Sequence, residues 1–124
     1  MATLLMTAAV LCAEPVAAGA YKGKYEGTSG GGDIKISLAL TDGKWNAEAG
    51  FGLGGQEVKC KVLSVKVDGS KMQMVYSFDL GGTVLQSSIE GEMKGTTLAG
   101  TYKTKATADG SAVDEGTWTA TSAN

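Results

Sequence analysis

"TSGGGDIKISLALTDGKWNAEAGF", residues 28–51, holds two runs of alternating apolar and polar residues on either side of Asp42-Gly43. In the first run Ile34, Ile36, Leu38 and Leu40 share one face, and Lys35, Ser37 and Ala39 share the other. In the second, Trp45, Ala47, Ala49 and Phe51 stand opposite Asn46 and Glu48. A period of two marks a strand with one buried face. Asp-Gly supplies the positive φ of a tight hairpin turn. The stretch therefore reads as a β-hairpin. Gly30 to Gly32, just ahead of it, raise the question of a phosphate cradle. Such a loop works by opening a helix whose amides and dipole meet the anion. Here a strand follows and no Lys-Ser/Thr pair completes the motif. The three glycines read instead as the first hairpin turn.

The same period extends in both directions. "KMQMVYSFDL", residues 71–80, sets Met72, Met74, Tyr76, Phe78 and Leu80 against Gln73, Ser77 and Asp79. Further turn signals stand at Gly54-Gly55, Asp68-Gly69, Gly81-Gly82, Lys94-Gly95 and Asp109-Gly110. With Gly30 to Gly32 and Asp42-Gly43 they divide the chain into eight strands, near 21–28, 33–41, 44–52, 56–67, 71–80, 83–93, 97–107 and 113–121. The fourth changes face at Val62-Leu63, which predicts a β-bulge. Short links pair each strand with the next. An eight-stranded meander can close on itself and remove its edges. The expected fold is all-β, an eight-stranded antiparallel up-and-down barrel, with a β-sandwich as the alternative. Lys35, Lys59, Lys61, Lys66, Lys103 and Lys105 fall on outward faces, where lipid would reject them. That favours a barrel in water over a membrane-spanning one.

Ahead of the strands stands "MATLLMTAAVLCAEPVAAGA", residues 1–20. Residues 4 to 13 are apolar or small, and Ala18-Gly19-Ala20 has the form of a signal-peptidase site. The run is too short for a transmembrane helix, which needs ~20 apolar residues. No Lys or Arg precedes the apolar core. Residues 1–20 are expected to be an export leader, cut after Ala13, Ala18 or Ala20, with residues 21–124 forming the barrel. The alternatives are an N-terminal helix packed on the domain, or a lipoprotein anchored at Cys12, where Leu11 makes a poor lipobox. The expected location is periplasmic or secreted. Removing the leader leaves Cys60 alone, so no internal disulfide forms. Cys60 alternates with Val58 and Val62 and reads as a small buried apolar residue.

Composition excludes much chemistry. All 11 basic residues are lysine, and histidine and arginine are absent. The formal net charge is −2, which gives no electrostatic footprint for nucleic acid. Without histidine there is neither a Ser-His-Asp nor a Cys-His arrangement. Zinc lacks its usual ligands. Glu26, Glu48, Glu90, Glu92, Asp114 and Glu115 mostly fall on outward faces or strand ends, so they read as solubilising charges rather than a glycosidase pair. "DGSAVDEG", residues 109–116, lacks the spacing of a calcium loop and reads as a hairpin. No catalytic residue, metal or cofactor is expected.

The interior remains. The inward-facing candidates for a binding site are Tyr25, Trp45, Met72, Met74, Tyr76, Phe78, Ser87, Tyr102 and Trp118, with Leu38, Phe51, Leu85, Ile89 and Thr104 beside them. A barrel of eight strands can pack its own side chains or hold one small ligand. Gly23, Gly91, Gly100 and Gly116 either let strands coil and rings fit, or leave ligand space.

Gly23-Lys24-Tyr25 resembles the G-x-W element that opens lipocalins and avidins, with Tyr in place of Trp. Leu98-Ala99-Gly100-Thr101-Tyr102 is similar to a strand of those calycin-type barrels. Gly116 to Thr119, Gly-Thr-Trp-Thr, resembles the final strand of small exported bacterial barrels. The resemblance implies the barrel and a binding class. The chain lacks the arginine that fatty-acid-binding barrels use, and the several tryptophans of an avidin site. The expected function is non-enzymatic binding of a small, neutral, apolar ligand. The alternative is a protein-interaction or inhibitor-like module with a packed core. A cavity of ~300 Å³ or more would favour the first. A filled interior with an exposed apolar patch at one end would favour the second.

Overall fold

The computed structural model describes residues 15–28 and 30–123. Most of the expected leader, Met1 to Glu14, lies outside the described residues. Eight antiparallel strands follow in order: β1 (Gly19–Gly27), β2 (Gly30–Thr41), β3 (Lys44–Leu53), β4 (Gln56–Asp68), β5 (Lys71–Leu80), β6 (Thr83–Lys94), β7 (Thr97–Ala106) and β8 (Ala112–Ser122). Each pairs with the next, and β1 closes on β8 through Tyr25–Trp118 and Gly27–Gly116. The sheet is a closed up-and-down barrel, so the sandwich alternative is excluded. No described residue is helical.

The turns have the chemistry that the sequence demands. Gly43, Gly54, Gly55, Gly69, Gly81, Gly82, Gly95 and Gly110 all take positive φ, as tight hairpins require. The first turn is a correction. Thr28 is in the turn, and Gly30 to Gly32 are already strand, paired with Gly27, Glu26 and Tyr25. Gly30 takes a positive φ of 120°, and Gly31 and Gly32 are glycine because the strands crowd there. A Cβ on Gly32 would stand 2.4 Å from the Gly52 carbonyl oxygen and 3.3 Å from the Tyr25 ring. The hollow outside them is flanked by Lys24 and Lys35, which pair with Asp33 and Glu57. The local charges balance, so nothing there favours phosphate.

The expected bulge is present. The β4–β5 register shifts between Val62 and Ser64, and Leu63 is left facing water. A second shift lies between Thr104 and Lys105 of β7. Val113 of β8 stands there between the pairs Thr104–Asp114 and Lys105–Ala112. The β3–β4 ladder is short, running only from Leu53–Gln56 to Ala49–Cys60. Beyond it the β4 residues Val62, Val65 and Val67, and Trp45 and Ala47 of β3, are only half-buried.

Inward alternation puts most of the expected interior in place. Tyr25, Leu38, Phe51, Met72, Met74, Tyr76, Phe78, Leu85, Ile89, Tyr102 and Trp118 are buried, with Ser87 and Thr104. Two expectations are corrected. Leu40 is 52% exposed, because β2 ends beside the Asp42-Gly43 turn and leaves the core. Trp45, at the same turn, is packed against the core but only partly buried. The lysines expected outward, Lys35, Lys59, Lys61, Lys66, Lys103 and Lys105, are all exposed.

The barrel has unlike ends. At the floor, Val16 lies 6% exposed in the core, with its N–H on the Gly69 carbonyl at 2.9 Å. Tyr21, Ile36, Met72, Met74, Ile89, Leu98 and Trp118 are nearly free of solvent. Burying one such side chain contributes ~1.5–3 kcal/mol relative to leaving it exposed. At the opposite end, reached by the β1–β2, β3–β4, β5–β6 and β7–β8 turns, the interior is open.

Candidate binding site

The open end forms a cup. It is lined by the rings of Tyr25, Phe51, Tyr76, Phe78 and Tyr102, by Ile34, Leu53, Leu80, Leu85 and Val113, and by Ser87, Thr104 and Asp114 near Gly30. The space is about 110 Å³. Four ring pairs stiffen the wall. Tyr25 meets Phe51 edge-on at 5.7 Å and Tyr102 at 5.9 Å; Phe51 meets Phe78 at 4.8 Å; Tyr76 lies tilted on Phe78 at 6.1 Å. Such contacts hold rings in fixed orientations and add ~0.5–1.5 kcal/mol per pair beyond burial.

The polar groups of the wall are engaged within the protein. The Tyr25 hydroxyl donates to the Gly52 carbonyl at 2.7 Å. The Tyr102 hydroxyl donates to the Asp114 carboxylate at 2.8 Å. The Ser87 and Thr104 hydroxyls share a hydrogen bond at 2.6 Å. Among the described residues no buried side-chain polar atom lacks a partner. A hydroxyl that gives its only proton to the protein has none for a ligand's carbonyl or carboxylate. Burial raises the pKa of Tyr25, Tyr76 and Tyr102 above the ordinary phenol value, and Asp114 adds to this at Tyr25 and Tyr102. The rings therefore stay neutral at physiological pH.

Of the expected site residues, Tyr25, Tyr76, Phe78, Ser87 and Tyr102 come together in the cup. Met72, Met74 and Trp118 lie in the packed half instead. The Trp118 indole N–H is shared between the Glu90 and Thr101 carbonyls, at 3.2 Å each. Trp45 is not part of the cup wall. The inward glycines are not ligand space either. A Cβ on Gly100 would meet the Glu90 carbonyl oxygen, and one on Gly116 the Glu26 carbonyl oxygen, both at under 2 Å. Gly91 makes room for the Trp118 ring. Close backbone approach explains them, as strand coiling requires.

The sequence groups Asp114 with solubilising charges on outward faces or strand ends, whereas it is half-buried on the cup wall. The signal lay in the period of β8. Asp114, Gly116, Trp118 and Ala120 alternate on one face, and Trp118 and Ala120 are core. Cys60 is half-buried, and burial pushes its thiol up to about 12, so it stays protonated rather than nucleophilic. No group of three or more His, Cys, Asp or Glu among the described residues could hold a metal. No helix among them is long and apolar enough to cross a membrane. No protein-family model, curated protein or solved structure matches the chain.

Proposed function

We propose that the protein is a non-enzymatic, exported barrel that holds a small, neutral, apolar group in the cup at its open end. The observation that carries this is the wall itself: apolar and aromatic, with the Tyr25 and Tyr102 protons already given to protein acceptors. An anion buried there would meet no cation and few donors, and uncompensated desolvation costs several kcal/mol. The nearest charge is the carboxylate of Asp114, which repels anions. The volume of about 110 Å³ falls short of the ~300 Å³ that a whole drug-sized ligand fills. An apolar cavity of ~150 Å³ takes benzene. The occupant is therefore a single ring, a branched alkyl group, or the end of a larger molecule. The lysines ranged on the outer face support a barrel in water.

A second reading has its own observation. Leu53 and Val113, on the cup wall, are each more than 40% exposed, and Val84 stands exposed beside the β5–β6 turn. A partner protein that covered this rim could insert one apolar side chain into the cup. Native mass spectrometry of protein purified from its own organism, with extraction of bound material, separates the two. A stoichiometric neutral small molecule supports the first reading. A co-purifying protein whose binding is lost in Leu53→Asp supports the second. A bound fatty acid or phosphorylated metabolite would sink the neutral-ligand claim.

A further inference from the structure

We infer that the export leader is cut after Ala13, not after Ala18 or Ala20, because the chain from Val16 onward is the floor of the barrel. The inference rests on the exported reading above. Three candidate cuts differ in what they remove, and the packing discriminates among them. Val16 is 6% exposed and lies in one core cluster with Tyr21, Met93 and Leu98. Its N–H donates to the Gly69 carbonyl at 2.9 Å, which ties the segment to the β4–β5 turn. The Ala17 carbonyl accepts the Tyr21 hydroxyl at 2.6 Å. Gly19 and Ala20 pair with Leu38 and Ser37 as the first residues of β1. The Ala20 carbonyl also accepts the Ala123 N–H at 2.8 Å, which ties the residue after β8 to β1.

A cut after Ala18 deletes Val16 and Ala17. The core loses an apolar side chain. Tyr21, a 2%-exposed residue, keeps only the Met93 sulfur at 3.9 Å, a weak acceptor. A cut after Ala20 also removes two rungs of the β1–β2 ladder and the acceptor of Ala123. A cut after Ala13 keeps every one of these contacts. It also discards Cys12, so that the mature protein carries a single thiol, the half-buried Cys60. The Ala-x-Ala at 18–20 then mimics a cleavage site but is structural: small residues where β1 enters the floor. Among the described residues Val16 covers the floor, and the cup lies at the opposite end.

The test is N-terminal sequencing of the chain recovered from periplasm or medium. A start at Glu14 is expected. A start at Cys12, Gly19 or Tyr21 overturns the assignment. A chain beginning at Met1 and confined to the cytoplasm overturns the export reading itself, and the cut with it. In the full chain, Ala13→Asp should block processing and accumulate precursor, whereas Ala18→Asp should be processed as the parent is. The reverse pattern overturns the cut. The floor has its own readout, independent of export. Val16→Asp places a charge where an apolar side chain is buried, and should lower the melting midpoint of the purified protein by at least ~8 °C. An unchanged midpoint would show that Val16 is not part of the core.

Discussion

The Tyr102 hydroxyl and the Thr28 hydroxyl donate to the two oxygens of one carboxylate, Asp114, at 2.8 and 3.0 Å. Three chain segments thus meet at the cup mouth: the β1–β2 turn, β7, and β8 next to its register shift. A bulge re-aims side chains, and this one lies at the site. Tyr102→Phe removes one donor from a half-buried carboxylate. The expected loss is ~1 kcal/mol, which for a domain of this size lowers the melting midpoint by ~4 °C. The ring stays, so binding of an apolar probe should persist. Gly27→Ala should cost more than Tyr102→Phe, because its Cβ would fall 2.0 Å from the Tyr102 hydroxyl and 2.6 Å from the carboxylate. Thermal melts of the two variants check the order.

Filling the cup should abolish binding without unfolding the barrel. Leu80 is half-buried on the wall, close to the β5–β6 turn, where a larger side chain has room to turn inward. Leu80→Trp is expected to reduce the affinity for toluene, used as a probe and followed by NMR shifts of the tyrosine rings, at least tenfold. The melting midpoint should move by only a few degrees. Gly100→Leu, a substitution that the sequence alone would suggest for blocking a cavity, should instead destroy the fold. Its Cβ would overlap the Glu90 carbonyl of β6. Toluene binding by Leu80→Trp equal to that of the parent would place the site elsewhere.

The fold was legible in the sequence because local signals agreed with the global arrangement. Alternation in 71–80 told Met72, Met74, Tyr76 and Phe78 from Gln73, and each Asp-Gly or Gly-Gly marked a turn. The division of the interior was not legible. Period two says that Met72 and Phe78 point inward, but not that Met72 is sealed under the floor while Phe78 lines a cup. That difference depends on Val16 closing one end, a contact with Gly69 across 53 residues of chain that no local pattern encodes. Leu40 and Trp45 misled for a related reason. Alternation continues to the last residue of a hairpin, whereas the core stops short of it.

Stability should fall on the alkaline side. Burial raises the Cys60 thiol from 9.0 to about 12, and burial is likewise the largest cause raising Tyr21, Tyr25, Tyr76 and Tyr102 above 10.0. Each group holds its proton more tightly folded than unfolded. The stabilisation is therefore complete below the unfolded values and is lost as pH rises from about 9 through the folded values. No histidine titrates near neutrality. The melting midpoint should be level between about pH 6 and 8 and decline above about 9. Cys60→Ala should flatten the first part of that decline. A midpoint that holds to pH 11 in the parent would contradict these assignments.

Gly91 and Trp118 should behave as one unit. The indole is fixed by its N–H between the Glu90 and Thr101 carbonyls, and it lies over Gly91, whose added Cβ would stand 2.7 Å from Cζ2 and 2.9 Å from Cη2. A side chain 2% exposed cannot swing away without breaking that bond or displacing the core. Gly91→Ala is therefore expected to cost ~1–3 kcal/mol by overpacking. Trp118→Phe removes the far ring atoms that Gly91→Ala would strike, at the cost of a cavity and of the indole hydrogen bond. In the double variant the clash is gone, so the total loss should be smaller than the sum of the single losses by at least ~1 kcal/mol. Denaturant unfolding of the four proteins completes the cycle. Additive losses would mean that the ring does not rest on Gly91, and that the glycine serves the backbone approach to β7 alone.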